Sequence, residues 1–191
     1  MKGVYLFLAN GFEETEALAT GDVLKRGGIP VKTVSIYEDK YVTSAHNVTV
    51  VADLTFGEFK AAAGSSCSGK NDVMIFPGGM PGSTNLADKT ELMELMQKHY
   101  AEGGAVAAIC AAPSVVLSRL PGLSGKKMTC YDGFEKPLLE QGVKYAGNDV
   151  ETDGNIITGR GPGLSIPFGL AILAYLAGDE KAAEVKAGMM L

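Results

Sequence analysis

Cysteine, glutamate and glycine residues at a few turns of this 191-residue chain carry its potential for chemistry. Cys110 has the most telling context. It stands in VAAICAAPSVVLS, where Val106–Ile109 reads as a buried strand and Ala111, Ala112 and Ser114 open a helix. A residue at such a turn is presented at the carboxyl edge of a sheet, where open α/β sheets bind ligands, as in a nucleophile elbow. The turn is crowded, and Ala108, Ala111 and Ala112 supply the small neighbours it needs. The following helix would aim free N–H groups and its positive end at the sulfur. Cysteines so placed fall from about 8.5 into the ~3.5–7.5 range. From position alone two readings of Cys110 stand side by side: a thiolate held by the helix start, or a small buried hydrophobe.

Two further segments could converge on that sulfur. Pro77-Gly78-Gly79-Met80 closes an apolar run, Val73–Phe76. Two glycines there allow a sharp turn that offers N–H donors to an anion, and an ordinary βα turn would look the same. Glu13-Glu14-Thr15-Glu16 follows the first apolar run. At helical spacing Glu13 and Glu16 are neighbours and Glu14 points elsewhere, so one carboxylate could face inward across the strand ends. The alternative is a solvated acidic helix start. Cys67 reads as an incidental loop thiol in Gly64–Gly69, and Cys130 as a core residue of a strand. His99 falls in an amphipathic helix and is expected at the surface. His46 lies near a presumed β-ribbon and matches no catalytic position, though a dimer partner could carry it toward the site.

These residues need a scaffold, and the pattern of the chain supplies one. Short apolar runs alternate with helical segments. Gly3–Ala9, Val31–Ile36, Val73–Phe76, Ala105–Ile109 and Lys127–Tyr131 read as strands. Glu13–Arg26, Phe56–Ala63, Thr90–Glu102, Ala111–Leu120, Phe134–Gln141, Ile166–Ala177 and Glu180–Ala187 read as helices. Tyr41–Ala45 with Val48–Val51 reads as a ribbon or one bent strand. Asp153-Gly154 between Val150–Thr152 and Asn155–Thr158 marks a hairpin. This alternation predicts an α/β fold with a mainly parallel sheet and helices on both faces, in a single domain over 1–191.

Composition bounds the function. With 46% hydrophobic and 20% charged residues, a chain of this length builds a core without metal or disulfides. A formal charge of −5 gives no pull toward nucleic acid or anionic membrane. An odd number of cysteines, three, suits a reducing compartment, so a cytoplasmic location is expected. Val4–Ala9 is too short for a signal-peptide core or a membrane span. No P-loop or dinucleotide fingerprint is present, so no cofactor is expected and a flavodoxin-type cofactor binder is the weakest reading.

The stretches ANGFEETEA, FPGGMPGSTNL, AAICAAPSVVLS and TGRGPG, in that order, resemble the ThiJ/PfpI superfamily, in the branch of the parkinsonism-associated protein deglycase. The resemblance covers nearly the whole chain. It implies a flavodoxin-like three-layer sandwich that forms homodimers, with no metal. It implies that Cys110 is the reactive, oxidisable cysteine. It also implies that Glu16 is the carboxyl group beside the sulfur, generally protonated, and that Gly78, Gly79 and Ala111 provide backbone amides. A buried carboxyl beside a thiolate should have a raised pKa and could then act as a general acid. Where the deglycase has a histidine, this chain has Tyr131, which could orient a substrate but is a poor base. A Cys-His peptidase dyad and an amidotransferase His-Glu pair therefore lack support. The expected activity is glyoxalase- or deglycase-type hydrolysis of small reactive carbonyls or glycated protein through Cys110. The rival is a non-enzymatic redox sensor or chaperone whose Cys110 is oxidised to the sulfinic acid. Arg160, ahead of Gly161-Pro162-Gly163, reads as a turn anchor.

Overall fold

A computed structural model describes residues 1–63, 69 and 71–191; Cys67 lies outside the described residues. Strands β1 (Val4–Leu8), β2 (Lys32–Ser35), β5 (Leu54–Thr55), β6 (Val73–Phe76), β7 (Ala105–Ile109), β10 (Val150–Asp153) and β11 (Ile156–Gly159) form a seven-stranded sheet. Its order is β10-β11-β7-β6-β1-β2-β5. Every pairing is parallel except β10 with β11, the hairpin that Asp153-Gly154 turns. β3 (Tyr41–Thr43) and β4 (Thr49–Val51) make an antiparallel ribbon rather than a bent strand. β8 (Lys127–Met128) and β9 (Lys144–Tyr145) pair in a small parallel sheet.

The helices are α1 (Glu14–Arg26), α2 (Phe56–Ala62), α3 (Gly82–Asp88), α4 (Thr90–Ala101), α5 (Ala112–Val115), α6 (Lys136–Glu140), α7 (Ser165–Ala177) and α8 (Asp179–Gly188). Parallel strands are covered on both faces, which is why their sequences are continuously apolar rather than alternating. The pleat sends successive side chains to opposite sides. Phe7, Met74, Phe76, Val106 and Ala108 join one core with Phe59 of α2 and Met96 of α4. Leu6, Leu8, Ile75, Ala107 and Ile109 join the other with Val23 and Leu24 of α1 and Phe168 and Ile172 of α7. Phe59 meets Tyr5 and Phe7 edge-on, at centroid separations of 4.8 and 5.1 Å.

Three sequence expectations change. The helix expected over Ala111–Leu120 is a four-residue α5 followed by a 3-10 turn, Leu117–Arg119. The strand expected over Lys127–Tyr131 stops at Met128, so Cys130 is buried just beyond it. α3 falls where no element was expected, and its Ser83 and Leu86 are completely buried.

Candidate active site

Cys110 follows β7 with φ of 64°, in the left-handed region that side chains with a Cβ avoid. The chain around it holds that conformation from both sides. Its N–H donates to the Gly159 carbonyl (2.9 Å), and its carbonyl accepts from the Tyr131 N–H (2.8 Å). Ala111 and Ala112 are buried against the turn. A strain on the order of 1–3 kcal/mol is thus sustained by main-chain bonds to two neighbouring segments, and the half-buried sulfur is turned out over the strand ends.

The segments ending β1 and β6 close on it. Glu13 caps α1, and its N–H donates to the Gly78 carbonyl (3.0 Å). One helical turn on, Glu16 is 1% exposed, and its Oε2 accepts the Gly78 N–H at 2.7 Å. The two glycines are steric requirements. A Cβ on Gly78 would lie 2.6 Å from the Cys110 Cβ and 2.7 Å from Glu16 Oε2. One on Gly79, whose φ is +85°, would lie 2.4 Å from the Glu13 N. Glu16 Oε1 has no other hydrogen-bonding partner among the described residues and faces the Cys110 thiol, while the Gly79 and Ala111 amides point at the sulfur.

Burial dominates the electrostatics. It raises the Glu16 carboxyl to about 7, against the Gly78 and Cys110 hydrogen bonds that favour its anion, and the Glu13 charge adds to the rise. The surroundings of the sulfur work against the thiolate reading. Burial and the ionised Glu16 push the Cys110 thiol up to about 12, and the Gly79 and Ala111 amides offset only part of this. The physical reason is the burial of the sulfur and its closeness to the Glu16 carboxylate, which together outweigh the two amides. The two groups are coupled, and the ionisation of either opposes that of the other.

Of the other sequence candidates, Glu14 is turned away to His46, whose Nδ1 lies 3.0 Å from its Oε1 and 3.7 Å from Glu13 Oε2. His46 thus approaches this end of α1 within its own chain, and its pKa is raised by Glu14. Among the described residues these three are the one group of potential metal-ligating side chains within 4.8 Å of each other, and they are engaged as an ion pair. His99 is buried, not surface: it is 1% exposed, with Nε2 at 3.0 Å from the Ala105 carbonyl and 3.2 Å from that of Asp72. The amphipathic pattern of α4 was read correctly, but a glycine at 104 opens space that draws the ring inward. Cys130 packs in the core on the sheet face opposite the cluster that Cys110 touches. Arg26 pairs with Asp22 on α1, whereas Arg160 anchors the turn at Asp132. Sequence reasoning missed Asp132, and nothing in its local pattern signals a partner so distant in the chain.

Known proteins resemble this chain in sequence and in fold. The chain is 36% identical over 191 residues to the dj-1beta protein of Drosophila melanogaster, covering all of the chain and 97% of that protein. It is 34% identical over 169 residues to the glutathione-independent glyoxalase DJR-1.2 of Caenorhabditis elegans, covering 88% of the chain and 85% of that protein. A crystal structure of a DJ-1 superfamily protein from Salmonella typhimurium, a cysteine-to-alanine mutant, matches with a TM-score of 0.88 and 34% identity, covering 100% of this chain and 98% of that one. Oxidised DJ-1 of Toxoplasma gondii matches with a TM-score of 0.87 and 29% identity, covering 98% and 97%. Residues 2–175 match the DJ-1/PfpI family, and the chain belongs to that family.

Proposed function

We propose that this chain is a cysteine-dependent glyoxalase- or deglycase-type enzyme acting on small 1,2-dicarbonyls such as methylglyoxal, or on their early protein adducts. The observation that carries the reading is the Glu16–Cys110 pair packed on Gly78, with amides on the sulfur and a carboxyl group raised to about 7. A base titrating near the working pH is the useful one. Ionised Glu16 takes the Cys110 proton as the sulfur adds to the aldehyde carbon, so no standing thiolate is needed. The Gly79 and Ala111 amides steady the developing oxyanion; Gly78, expected to join them, instead keeps its N–H on Glu16 Oε2 and holds that carboxyl in place. The hemithioacetal then isomerises through an enediol as Glu16 moves a proton between the two carbons. The aldehyde carbon is oxidised and the ketone carbon reduced, leaving a thioester. Water hydrolyses the thioester to a 2-hydroxy acid and restores the thiol. Tyr131 orients the substrate. The glyoxalase named in Caenorhabditis elegans supports this class of reaction.

A homodimer in the cytoplasm is part of the same proposal. So is the absence of any cofactor, nucleic acid or membrane partner. The redox-sensor reading draws on a different observation: the half-buried sulfur has amides and an acid around it that would hold a sulfinate, and the Toxoplasma gondii relative is described as oxidised. One experiment separates them. Turnover of methylglyoxal is measured for the wild type, Cys110→Ala and Glu16→Gln, with intact mass after mild peroxide. The enzyme reading expects turnover that both substitutions abolish. Turnover retained by Cys110→Ala would sink the covalent mechanism. No wild-type turnover, with selective oxygen addition at Cys110, would establish the sensor instead.

A further inference from the structure

Between β1 and α1 the chain passes through Asn10, Gly11 and Phe12 before Glu13 opens the helix that carries Glu16. This turn lies flat against the turn that follows β6, with no Cβ between them at the contact. A Cβ on Gly79 would come within 2.6 Å of the Gly11 carbonyl oxygen, and one on Gly82 within 2.5 Å of the Phe12 N. From the other side, Gly11 has φ of +84° and a Cβ on it would lie 2.5 Å from the Pro81 ring. Two main-chain bonds cross the contact, Glu13 N–H to the Gly78 carbonyl at 3.0 Å and Gly82 N–H to the Gly11 carbonyl at 3.1 Å. Packed elements are ordinarily held in register by interdigitated side chains. Glycine against glycine offers none, so the register of this contact has to be set from outside it.

Asn10 is placed to set it. Its N–H donates to the Tyr37 hydroxyl, two residues beyond β2, at 3.1 Å. Its Oδ1 accepts the Thr43 N–H at the end of β3 at 2.9 Å. Its carbonyl accepts Asn85 Nδ2, from α3, at 2.8 Å. One residue is thus held from three separate elements, and Gly11 adds a fourth bond, its N–H to the Thr43 carbonyl at 2.8 Å. The three bonds of Asn10 are exposed, where exchange with water leaves little net gain for folding. What they supply is position: bonds from three directions fix a main-chain atom that a single bond leaves free to swing.

We propose that Asn10 is a positioning residue for the reacting pair, and that by locking the β1–α1 turn to Tyr37, to the ribbon and to α3 it sets how Glu16 meets Gly78 and Cys110. The proposal rests on the reading of Glu16 and Cys110 as that pair. Asn10 is not among the groups that act on either of them directly. The titratable groups that face Glu16 are Glu13 on α1 and Cys110 at the end of β7, while His46, beside the ribbon, faces Glu14 and Glu13. Burial is the largest influence on the Glu16 carboxyl and outweighs the Gly78 bond that opposes it. A loosened turn admits water to that carboxyl, so its titration moves from about 7 back toward the ordinary 4.5.

The test removes the bonds singly. Asn10→Ala loses the Thr43 bond, Tyr37→Phe loses the acceptor for the Asn10 N–H, and Asn85→Ala loses the donor to its carbonyl. Asn10→Asp keeps an acceptor for Thr43. Methylglyoxal turnover and the pH dependence of Cys110 alkylation by iodoacetamide are measured for each, with thermal unfolding alongside. Asn10→Ala is expected to lower kcat about tenfold with KM little changed, within the cost of a small misplacement of reacting groups. The alkylation midpoint should fall by about one pH unit as Glu16 is wetted. Tyr37→Phe and Asn85→Ala should move both readings the same way by less, and Asn10→Asp should restore kcat. If Asn10→Ala does not fold, the other two single-bond variants carry the test. A lowered melting temperature with kcat and midpoint unchanged would overturn the proposal, because the bonds would then serve the fold alone. If the wild type turns over no dicarbonyl, the proposed enzyme falls, and the alkylation midpoint by itself decides for or against the lock.

Discussion

The two ends of the central sheet solve the same packing problem with opposite chemical results. At the carboxyl end, Glu16 is buried against Gly78, which has no Cβ to obstruct it. At the amino end, His99 is buried against Gly104, where a Cβ would come within 2.1 Å of the ring. Each is a titratable group drawn under the sheet edge by a missing side chain. Glu16 meets an amide donor, a thiol and a further carboxylate, and its pKa rises to about 7. His99 meets two carbonyls on one nitrogen and, among the described residues, no hydrogen-bonding partner on the other, and burial lowers its pKa, keeping it neutral. Burial alone therefore does not make a reactive group. What matters is whether the neighbours leave the proton somewhere useful to go.

The comparison can be broken most directly at the glycines. Gly78→Ala should displace Cys110 and Glu16 together and cut dicarbonyl turnover by about a thousandfold, as loss of oxyanion geometry does. Steady-state kinetics with a folded-state control would show it, and near-normal turnover would mean the pair is not the reaction centre. Next in size is Glu16→Gln, read by chemical denaturation against pH. A carboxyl raised from 4.5 to about 7 in the folded state costs nothing below pH 4.5, where both states hold the proton. Its penalty grows as pH rises and is complete above about 7, at about 3 kcal/mol. The Gln variant should thus be more stable than the wild type at pH 8 and no more stable at pH 4. The wild type's turnover should also climb through pH 7 in a way the variant lacks.

At the amino end the effects are on stability only. Gly104→Ala should cost about 1–3 kcal/mol through the clash with His99, while iodoacetamide still alkylates Cys110 at close to the wild-type rate. A large fall in that rate would show that the two ends are coupled. The smallest effect concerns His99 itself. A lowered imidazole pKa contributes stability above the unfolded value of about 6.5 and loses it as pH falls below. His99→Gln should flatten this acid-side decline, the opposite flank from that of Glu16.

Much of this architecture can be read from the sequence because strands covered on both faces leave an unmistakable apolar run. The cysteine at the end of such a run, the glycine pair and the glutamate spacing are equally visible. The direction of the Cys110 shift was not, because the depth of the sulfur and its closeness to Glu16 are set where separate strand ends meet, and no local pattern encodes that. His99 misled for a related reason: periodicity assigns a face, but the depth at which a side chain settles depends on a glycine beyond its own helix. The Asp132–Arg160 fork joins residues far apart in the chain by pairing two turns, and no local pattern encodes that.

The main-chain bonds that hold Cys110 have a consequence for motion. Its amide hydrogen is locked onto Gly159 even though its sulfur opens toward solvent. Deuterium uptake at this one amide should therefore be slow, in the range of the central strands, while the side chain a few bonds away stays within reach of solvent. Chemical accessibility and backbone mobility would then part company at a single residue, with the reactive atom supplied by one of the stiffest points in the chain.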